Sequence, residues 1–370
     1  MKSLYIHFPF CLKKCDYCDF YSKEIHSLSK DVYQQYLDAL KNDLLQWQEN
    51  FSEFNIKTVY LGGGTPSLFP KELLFELFEL FKQKNEKFNP EEVTLEANPA
   101  SVTQQKLIQY KKLGINRISL GVQSFQDNEL KALGRVHNAQ EAIDTYNLIR
   151  ATGFSNVNID LMFNIPKQTA LSLRNSLEVV KNLNPEHISI YSLTLERAVP
   201  LFQKVIAKEI TLPGEDEDYA MYKQIKSFLK EKGYIQYEIS SFSKENYQCR
   251  HNLNYWENGE YLGLGAAAHS QIKGERWQNY NMEEYLENSG KAHQNNGKIT
   301  LSEAVFLGLR RLVGVNLRAF YLSYGLDLLE KYSHEIQKLK QNGLIEVFNG
   351  NLRLTERGIF LANQVFLEFV

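Results

Sequence analysis

Three of the four cysteines in this chain fall within eight residues of one another, in Cys11-Leu-Lys-Lys-Cys15-Asp-Tyr-Cys18. Three thiolates on one short loop can hold three corners of a [4Fe–4S] cube. Such clusters normally take four Cys thiolates, so the fourth iron would be left open to a small molecule. A structural zinc site or free thiols are the alternatives. Zinc favours paired C-x2–4-C units with a further Cys or His close by, and no such partner is obvious here. A loop that holds a metal group has to hang from a rigid frame, which makes the organisation of the rest of the chain the next question.

At 370 residues the chain is long enough for two or three domains and a sizeable core. A net charge of −2 gives no bulk electrostatic case for nucleic acid. The opening Met1-Lys2-Ser3-Leu4-Tyr5-Ile6-His7-Phe8 has too short an apolar part for a signal peptide and is interrupted by His7 and Pro9. No stretch approaches the roughly 18 uninterrupted apolar residues of a membrane span, so no integral membrane segment is expected. With three of four cysteines clustered, a disulfide framework is not expected and a reducing, cytoplasmic setting fits.

Up to about residue 195 the sequence repeats one order: a β-rich run, a turn, then a helical stretch. The β-rich runs are Leu4–Phe8, Thr58–Leu61, Val93–Glu96, Arg117–Gly121, Val157–Met162 and His187–Leu195. Amphipathic stretches at Tyr33–Trp47, Lys71–Phe81 and Gln104–Leu113 lie between them. Six such units predict parallel strands joined by right-handed crossovers. They are too few for an eight-stranded barrel, so the fold class is α/β, an open partial (β/α)6 barrel. In such sheets ligands sit at the carboxyl ends of the strands. The unusual residues do follow the strands: the cysteine loop, then Gly62-Gly63-Gly64-Thr65-Pro66, Glu96-Ala-Asn98-Pro99 and Gly121-Val-Gln123-Ser124-Phe125, with Asp160 on the fifth.

The pattern changes after Leu195, and units are expected at 1–195, 196–299 and 300–370. The middle unit reads as an acidic-started helix to about Lys232, a strand at Tyr237–Phe242, a polar aromatic loop Cys249-Arg250-His251-Asn252-Leu-Asn254-Tyr255-Trp256, and a glycine-rich stretch ending at His269. From Thr300 a mostly helical, winged-helix-like region is expected, with a hairpin at Leu344–Leu354 turning on Asn349-Gly350-Asn351. That region carries eight Lys or Arg against seven Asp or Glu. It lacks the basic footprint of a DNA-binding wing, and reads instead as a cover for the barrel or a dock for a protein partner.

Gly62–Gly64 removes side chains where a ligand would approach the backbone, or simply makes a tight turn. Glu96, Gln123, Arg135 and Asp160 are polar groups in or after apolar strands, where burial is costly without a partner. A carboxylate and a guanidinium there can grip a zwitterion and ribose hydroxyls, or form a structural ion pair.

Taken in order, Cys-x3-Cys-x2-Cys, GGGTP, LEANP and GVQSF resemble the radical S-adenosylmethionine superfamily. The likeness extends along nearly the whole chain. It is to the coproporphyrinogen III dehydrogenase-like branch, and within it to the heme chaperones of the HemW type. The resemblance implies Cys11, Cys15 and Cys18 as cluster ligands, with S-adenosylmethionine on the open iron. It implies cofactor contacts from Tyr5, Tyr17, Gly63, Gly64, Thr65, Glu96, Gln123, Arg135 and Asp160, and from Thr194. A low-potential cluster beside the sulfonium would donate one electron and release a 5′-deoxyadenosyl radical.

Two departures separate the chain from the dehydrogenases. Those read Cys-x3-Cys-x2-Cys-x-Cys, where this chain has Phe20, and they carry a long segment before the cluster motif, where this chain has ten residues before Cys11. The His251-Asn252-Leu-Asn254-Tyr255-Trp256 run looks like the His-Asn-x-x-Tyr-Trp motif of the chaperones. Imidazole is a common axial ligand of heme, aromatic rings offer flat faces, and Arg250 could pair with a propionate. His251 is thus a candidate heme ligand, or a residue that fixes its loop by hydrogen bonds. His269 is another candidate, and Cys249, the spare cysteine, is an incidental thiol or one that binds iron or attaches to heme. The reading is a heme chaperone that binds a [4Fe–4S] cluster, S-adenosylmethionine and heme, and passes heme to an acceptor such as a membrane-bound respiratory enzyme, with no nucleic-acid partner. The alternative is an oxygen-independent coproporphyrinogen III dehydrogenase. Within the chaperone reading, the cofactor pair either performs radical chemistry or serves as a redox switch with a structural ligand.

Overall fold

The computed structural model describes residues 3–47 and 51–370, so Met1 and Lys2 of the amino-terminal reading lie outside the described residues. Six parallel strands form the frame: β1 (Ser3–Phe8), β2 (Thr58–Gly63), β3 (Glu92–Ala97), β4 (Arg117–Gln123), β5 (Val157–Phe163) and β6 (His187–Ser192), neighbours in that order. Each lies within a residue or two of its expected start; β6 stops three residues before the expected end at Leu195. Every residue of β4 is buried, which is what a strand covered on both faces requires.

The crossover helices are α1 (Val32–Gln46), α2 (Lys71–Lys84), α3 (Gln104–Lys112), α4 (Ala139–Ala151) and α5 (Ala170–Leu183). On α1, Tyr36, Leu37, Leu40 and Leu44 recur at helical spacing and are fully buried. Capping boxes start α4 at Asn138–Glu141 and α5 at Thr169–Ser172. Gly114, at φ 87°, ends α3 with a turn that a side chain would strain.

Beyond β6 the chain departs from expectation in three places. After α6 (Glu215–Glu231), the single strand expected at Tyr237–Phe242 is two, β7 (Ile235–Glu238) and β8 (Ser241–Ser243), which pair antiparallel, with β8 also antiparallel to β6. A turn at Ile239–Ser240 reverses the chain. The expected loop at Cys249–Trp256 is helix α7 (Arg250–Trp256). Its first amides need acceptors, and the Glu92 carboxylate supplies them to Arg250 N at 3.1 Å and His251 N at 3.0 Å. Finally, β9 (Tyr261–Leu264) lies parallel to β1 on the side away from β2, a seventh parallel strand that the βα repeat does not reveal.

From β9 the sheet continues through β10 (His269–Ile272), β11 (Glu275–Asn279) and β12 (His293–Lys298), all antiparallel. The result is one open twelve-stranded sheet. The carboxy-terminal region holds α8 (Leu301–Leu309), β13 (Val315–Asn316), α9 (Leu317–Tyr324), α10 (Ser333–Gln341) and the hairpin β14 (Ile345–Phe348) with β15 (Asn351–Leu354). Asn349 and Gly350 turn that hairpin at φ 46° and 75°. The rings of Tyr219 and Tyr222 on α6 pack on Phe360 of this region.

Candidate functional site

The cysteine loop leaves β1 and is clamped at its root, where Phe10–Cys11 pairs in parallel with Lys23–Glu24. Within it, Cys18 N donates to Cys15 O at 3.1 Å. Asp16 fastens the loop to two distant segments: its amide donates to Leu133 O, its carbonyl accepts from Leu201 N, and its carboxylate pairs with Lys204 at 2.6 Å. All three thiols are free and half-buried. Burial pushes Cys18 up to about 11 and raises Cys11, so a bound cation is what would hold them as thiolates. Thr65 Oγ1 lies 3.8 Å from Cys11 Sγ, and Arg135 Nη1 lies 3.4 Å from Cys15 Sγ.

Above the strand ends the thiols face a cavity of about 260 Å³. Every expected site residue except Tyr5 and His251 lines it: Cys11, Cys15, Cys18, Tyr17, Gly63, Gly64, Thr65, Glu96, Gln123, Arg135, Asp160 and Thr194. Gly64 is needed for closeness, since a Cβ there would stand 2.7 Å from Phe10 O and 3.0 Å from Cys11 Sγ. Gly63 has φ +111°, and a Cβ would meet the His7 ring at 2.6 Å. Gln123 sits at φ 73° beside a register shift in the β4–β5 pairing. Such irregularities re-aim a side chain beside functional sites. Its Oε1 is buried without a hydrogen-bond partner among the described residues.

The charged groups do not form the structural ion pair considered above. Glu96 accepts from Tyr60 Oη at 2.8 Å and from Gly63 N at 3.1 Å, and burial lifts its carboxyl to about 7. Asp160 accepts from Ser119 Oγ and Asn158 Nδ2. Arg135 donates to Asn98 Oδ1 at 2.8 Å and to Gly121 O, while its Nε is buried without a partner among the described residues. Burial raises the Tyr17 phenol well beyond its usual range.

Tyr5 and His251 lie elsewhere. Tyr5 bonds to His7 Nδ1 at 2.9 Å and lines a second cavity, of about 610 Å³. That cavity shares Asp19, Phe20, Gly63 and Glu96 with the first. His251 is 0% exposed and lines neither cavity. Its Nδ1 bonds to Thr58 Oγ1 at 2.8 Å and its Nε2 to Tyr255 Oη at 2.9 Å, and burial lowers it to about 3. Both nitrogens are thus engaged in hydrogen bonds that hold α7, and in this structure the ring presents no free nitrogen to a ligand. Arg250 pairs with Glu91 at the surface, and Cys249 is buried 3.7 Å from Glu92. Tyr255, Trp256 and His269 do line the second cavity.

Three residues of the first cavity or its support were missed as candidates. Asn98 bridges Thr65 and Arg135, Tyr60 holds Glu96, and Tyr191 lines the wall. Asn98 stood in a noted motif; the two tyrosines carry no signal beyond ordinary strand composition.

Residues 5–180 match the model of the radical SAM superfamily, and residues 298–361 match that of the HemN C-terminal domain. The chain is 35% identical to the heme chaperone HemW of Bacillus subtilis (strain 168), over 100% of this chain and 99% of that protein. The chain belongs to the HemW family of radical SAM proteins. HemW of Escherichia coli (strain K12) is 39% identical over 73% of this chain and 70% of its own length. The chain is also 35% identical to the mitochondrial radical S-adenosyl methionine domain-containing protein 1 of Danio rerio, over 73% of this chain and 60% of that protein. The fold matches that of coproporphyrinogen III oxidase (HemN) from Escherichia coli, with a TM-score of 0.83 at 22% identity, over 99% of this chain and 89% of that one.

Membership in the radical SAM superfamily implies a [4Fe–4S] cluster and S-adenosylmethionine. The residues of this HemW-family chain suit both. Three soft thiol donors face one cavity, two glycines keep its floor clear, and Gln123 Oε1 and Arg135 Nε are buried there unpaired. Unpaired buried polar atoms are costly without a ligand.

Proposed function

We propose that this chain is a heme chaperone: it holds a [4Fe–4S] cluster and S-adenosylmethionine, binds heme, and passes it to an acceptor protein in a reducing, cytoplasmic compartment. The observation that carries the reading is the likeness to HemW of Bacillus subtilis along the entire length of both chains. In this reading Cys11, Cys15 and Cys18 ligate three irons. When bound, the cofactor pair supplies one-electron reductive cleavage of a sulfonium.

The chain's own residues do the rest. Gly63 and Gly64 leave room against the backbone. Arg135 places a guanidinium N–H 3.4 Å from Cys15 Sγ, at the edge of the cavity. Glu96, buried and lifted to about 7, can present a carboxyl oxygen that accepts from the ammonium of a bound zwitterion. Asp160 and Gln123 present acceptors suited to hydroxyls, and Thr65, Tyr17 and Thr194 complete the wall. Tyr5 acts through His7, whose ring would be met by any side chain at Gly63. The units at 1–195, 196–299 and 300–370 are proposed as cluster barrel, connecting extension and helical cover. No helix among the described residues is long and apolar enough to cross a membrane, so a membrane-bound respiratory acceptor would be met from outside the bilayer.

The test is anaerobic reconstitution of the cluster followed by hemin, or by coproporphyrinogen III with S-adenosylmethionine and a reductant. A stable heme spectrum, then loss of that heme to an apo-acceptor, is the expected result. Turnover of coproporphyrinogen III to protoporphyrinogen would overturn the proposal.

A further inference from the structure

We propose that the larger cavity beside the cluster cavity is the heme seat and that His269 is its iron ligand. The inference rests on the chaperone reading and says where in the chain the heme would lie.

A metalloporphyrin is a flat apolar plate with a metal at its centre and two carboxylates at one edge. It needs flat apolar walls, an axial donor and cations near the edge. The 610 Å³ cavity offers the walls in Tyr5, Phe20, Tyr255, Trp256, Tyr261 and Leu307. Trp256 is steadied by the Arg310 guanidinium 4.3 Å from its ring centre. Its indole N–H is buried without an acceptor among the described residues, a donor left over for an incoming polar group.

Three imidazoles lie in or near this cavity, and two are taken. His251 is sealed with both nitrogens bonded. His7 bonds Tyr5 Oη through Nδ1 and Tyr21 O through Nε2, both at 2.9 Å. The ring of His269 makes no hydrogen bond among the described residues, lines the cavity, and belongs to an exposed residue. Partial burial and the nearby Arg276 charge lower its pKa, so the imidazole is neutral at neutral pH, the form that binds a metal.

The backbone that delivers His269 is strained. Ala267, in the same wall, holds φ 60°, a conformation that costs a non-glycine residue energy and that clusters at ligand sites. Arg276 supplies the cation: Glu303 holds its Nη1 while its Nε has no partner among the described residues. Asp19, Phe20, Gly63 and Glu96 form the wall common to both cavities, so a porphyrin here would abut the cluster chamber without entering it.

Hemin titrated into the cluster-loaded chain decides the matter. The wild-type chain should give a histidine-ligated ferric spectrum. His269→Ala should lose it and bind hemin at least tenfold more weakly. In His269→Gly, free imidazole should restore the spectrum, which a merely structural role would not allow. Leu307→Trp should weaken hemin binding by filling the cavity, with cluster absorption unchanged and serving as the folding control. His251→Gln should keep the histidine-type spectrum. If the wild-type chain binds no hemin, the chaperone reading itself falls. If it binds hemin and His269→Ala or Leu307→Trp keeps wild-type affinity and spectrum, or if imidazole fails to rescue His269→Gly, only the seat proposed here is overturned.

Discussion

The two neighbouring cavities are built in opposite ways. The smaller sits on the carboxyl ends of parallel strands, and nearly every group in it belongs to a short motif that follows one strand. The larger is lined by Tyr5 and His7 on β1, Tyr255 and Trp256 on α7, Tyr261 on β9, and the antiparallel ribbon carrying His269 and Arg276. Its shape depends on one buried carboxylate, Glu92, reaching from β3 to anchor α7. The first cavity is thus a property of local loops on a repeated frame. The second is a property of long-range contacts, and it should be more easily deformed without harm to the first.

The largest effect expected is that of Cys15→Ser, which removes one of three thiolates. Iron should fall from about four per chain to a small fraction, with far-ultraviolet circular dichroism unchanged. If hemin binding disappears together with the iron, the two cavities are not independent and the contrast drawn above is broken.

Gly64→Ala comes next. The added carbon would stand 2.7 Å from one backbone atom and 2.9 Å from another of Phe10, a clash of about 1–3 kcal/mol. S-adenosylmethionine affinity, measured by calorimetry on the reconstituted chain, should drop at least roughly tenfold. Unchanged affinity would show that the floor of the cavity is not where the cofactor lies.

Glu92→Ala and His251→Ala probe the other side. The first strips acceptors from two amides of α7; the second leaves Thr58 and Tyr255 without their shared partner. Each should cost about 1–3 kcal/mol in denaturant unfolding and lower hemin affinity, with cluster content near wild type. Loss of the cluster in either variant would mean that α7 supports both cavities.

A pH dependence is also expected in the cofactor-free chain. Glu96 is lifted from 4.5 to about 7 by burial. Between those values the folded chain binds a proton that the unfolded chain has released, so this group's contribution to stability declines as pH rises through the window and is level above it. Glu96→Gln should remove that decline, seen as a wild-type minus variant difference in unfolding free energy that falls from pH 4.5 to 7. A difference independent of pH would place Glu96 in contact with solvent.

Much of the first cavity was legible because its signals are short-range. Cysteine spacing, a triple glycine and polar residues at the ends of apolar strands each report a local demand, and the βα repeat says that those strand ends share one face. What the repeat could not supply is the partner of each charge. In sequence Arg135 could pair with Glu96 or Asp160 or grip a ligand, and the fold gives Arg135 to Asn98 and Glu96 to Tyr60. Residues 249–256 misled for a related reason. A polar, aromatic run without an internal N-terminal acceptor reads as a loop, and the acceptor that makes it a helix lies more than 150 positions away.

The sequence alone determined a three-thiolate loop at the end of a parallel strand, the six-unit frame beneath it and a helical carboxy-terminal region, because thiol spacing, glycine freedom and hydrophobic period act over a few residues. Tertiary structure alone decided which histidine is sealed and which is free. On paper His251, in the His-Asn-x-x-Tyr-Trp run, is the leading ligand candidate and His269 a further one. Folding spends both nitrogens of one on Thr58 and Tyr255 and leaves the other facing a cavity, since hydrogen-bond partners are assigned by the meeting of distant strands and not by neighbours in the chain.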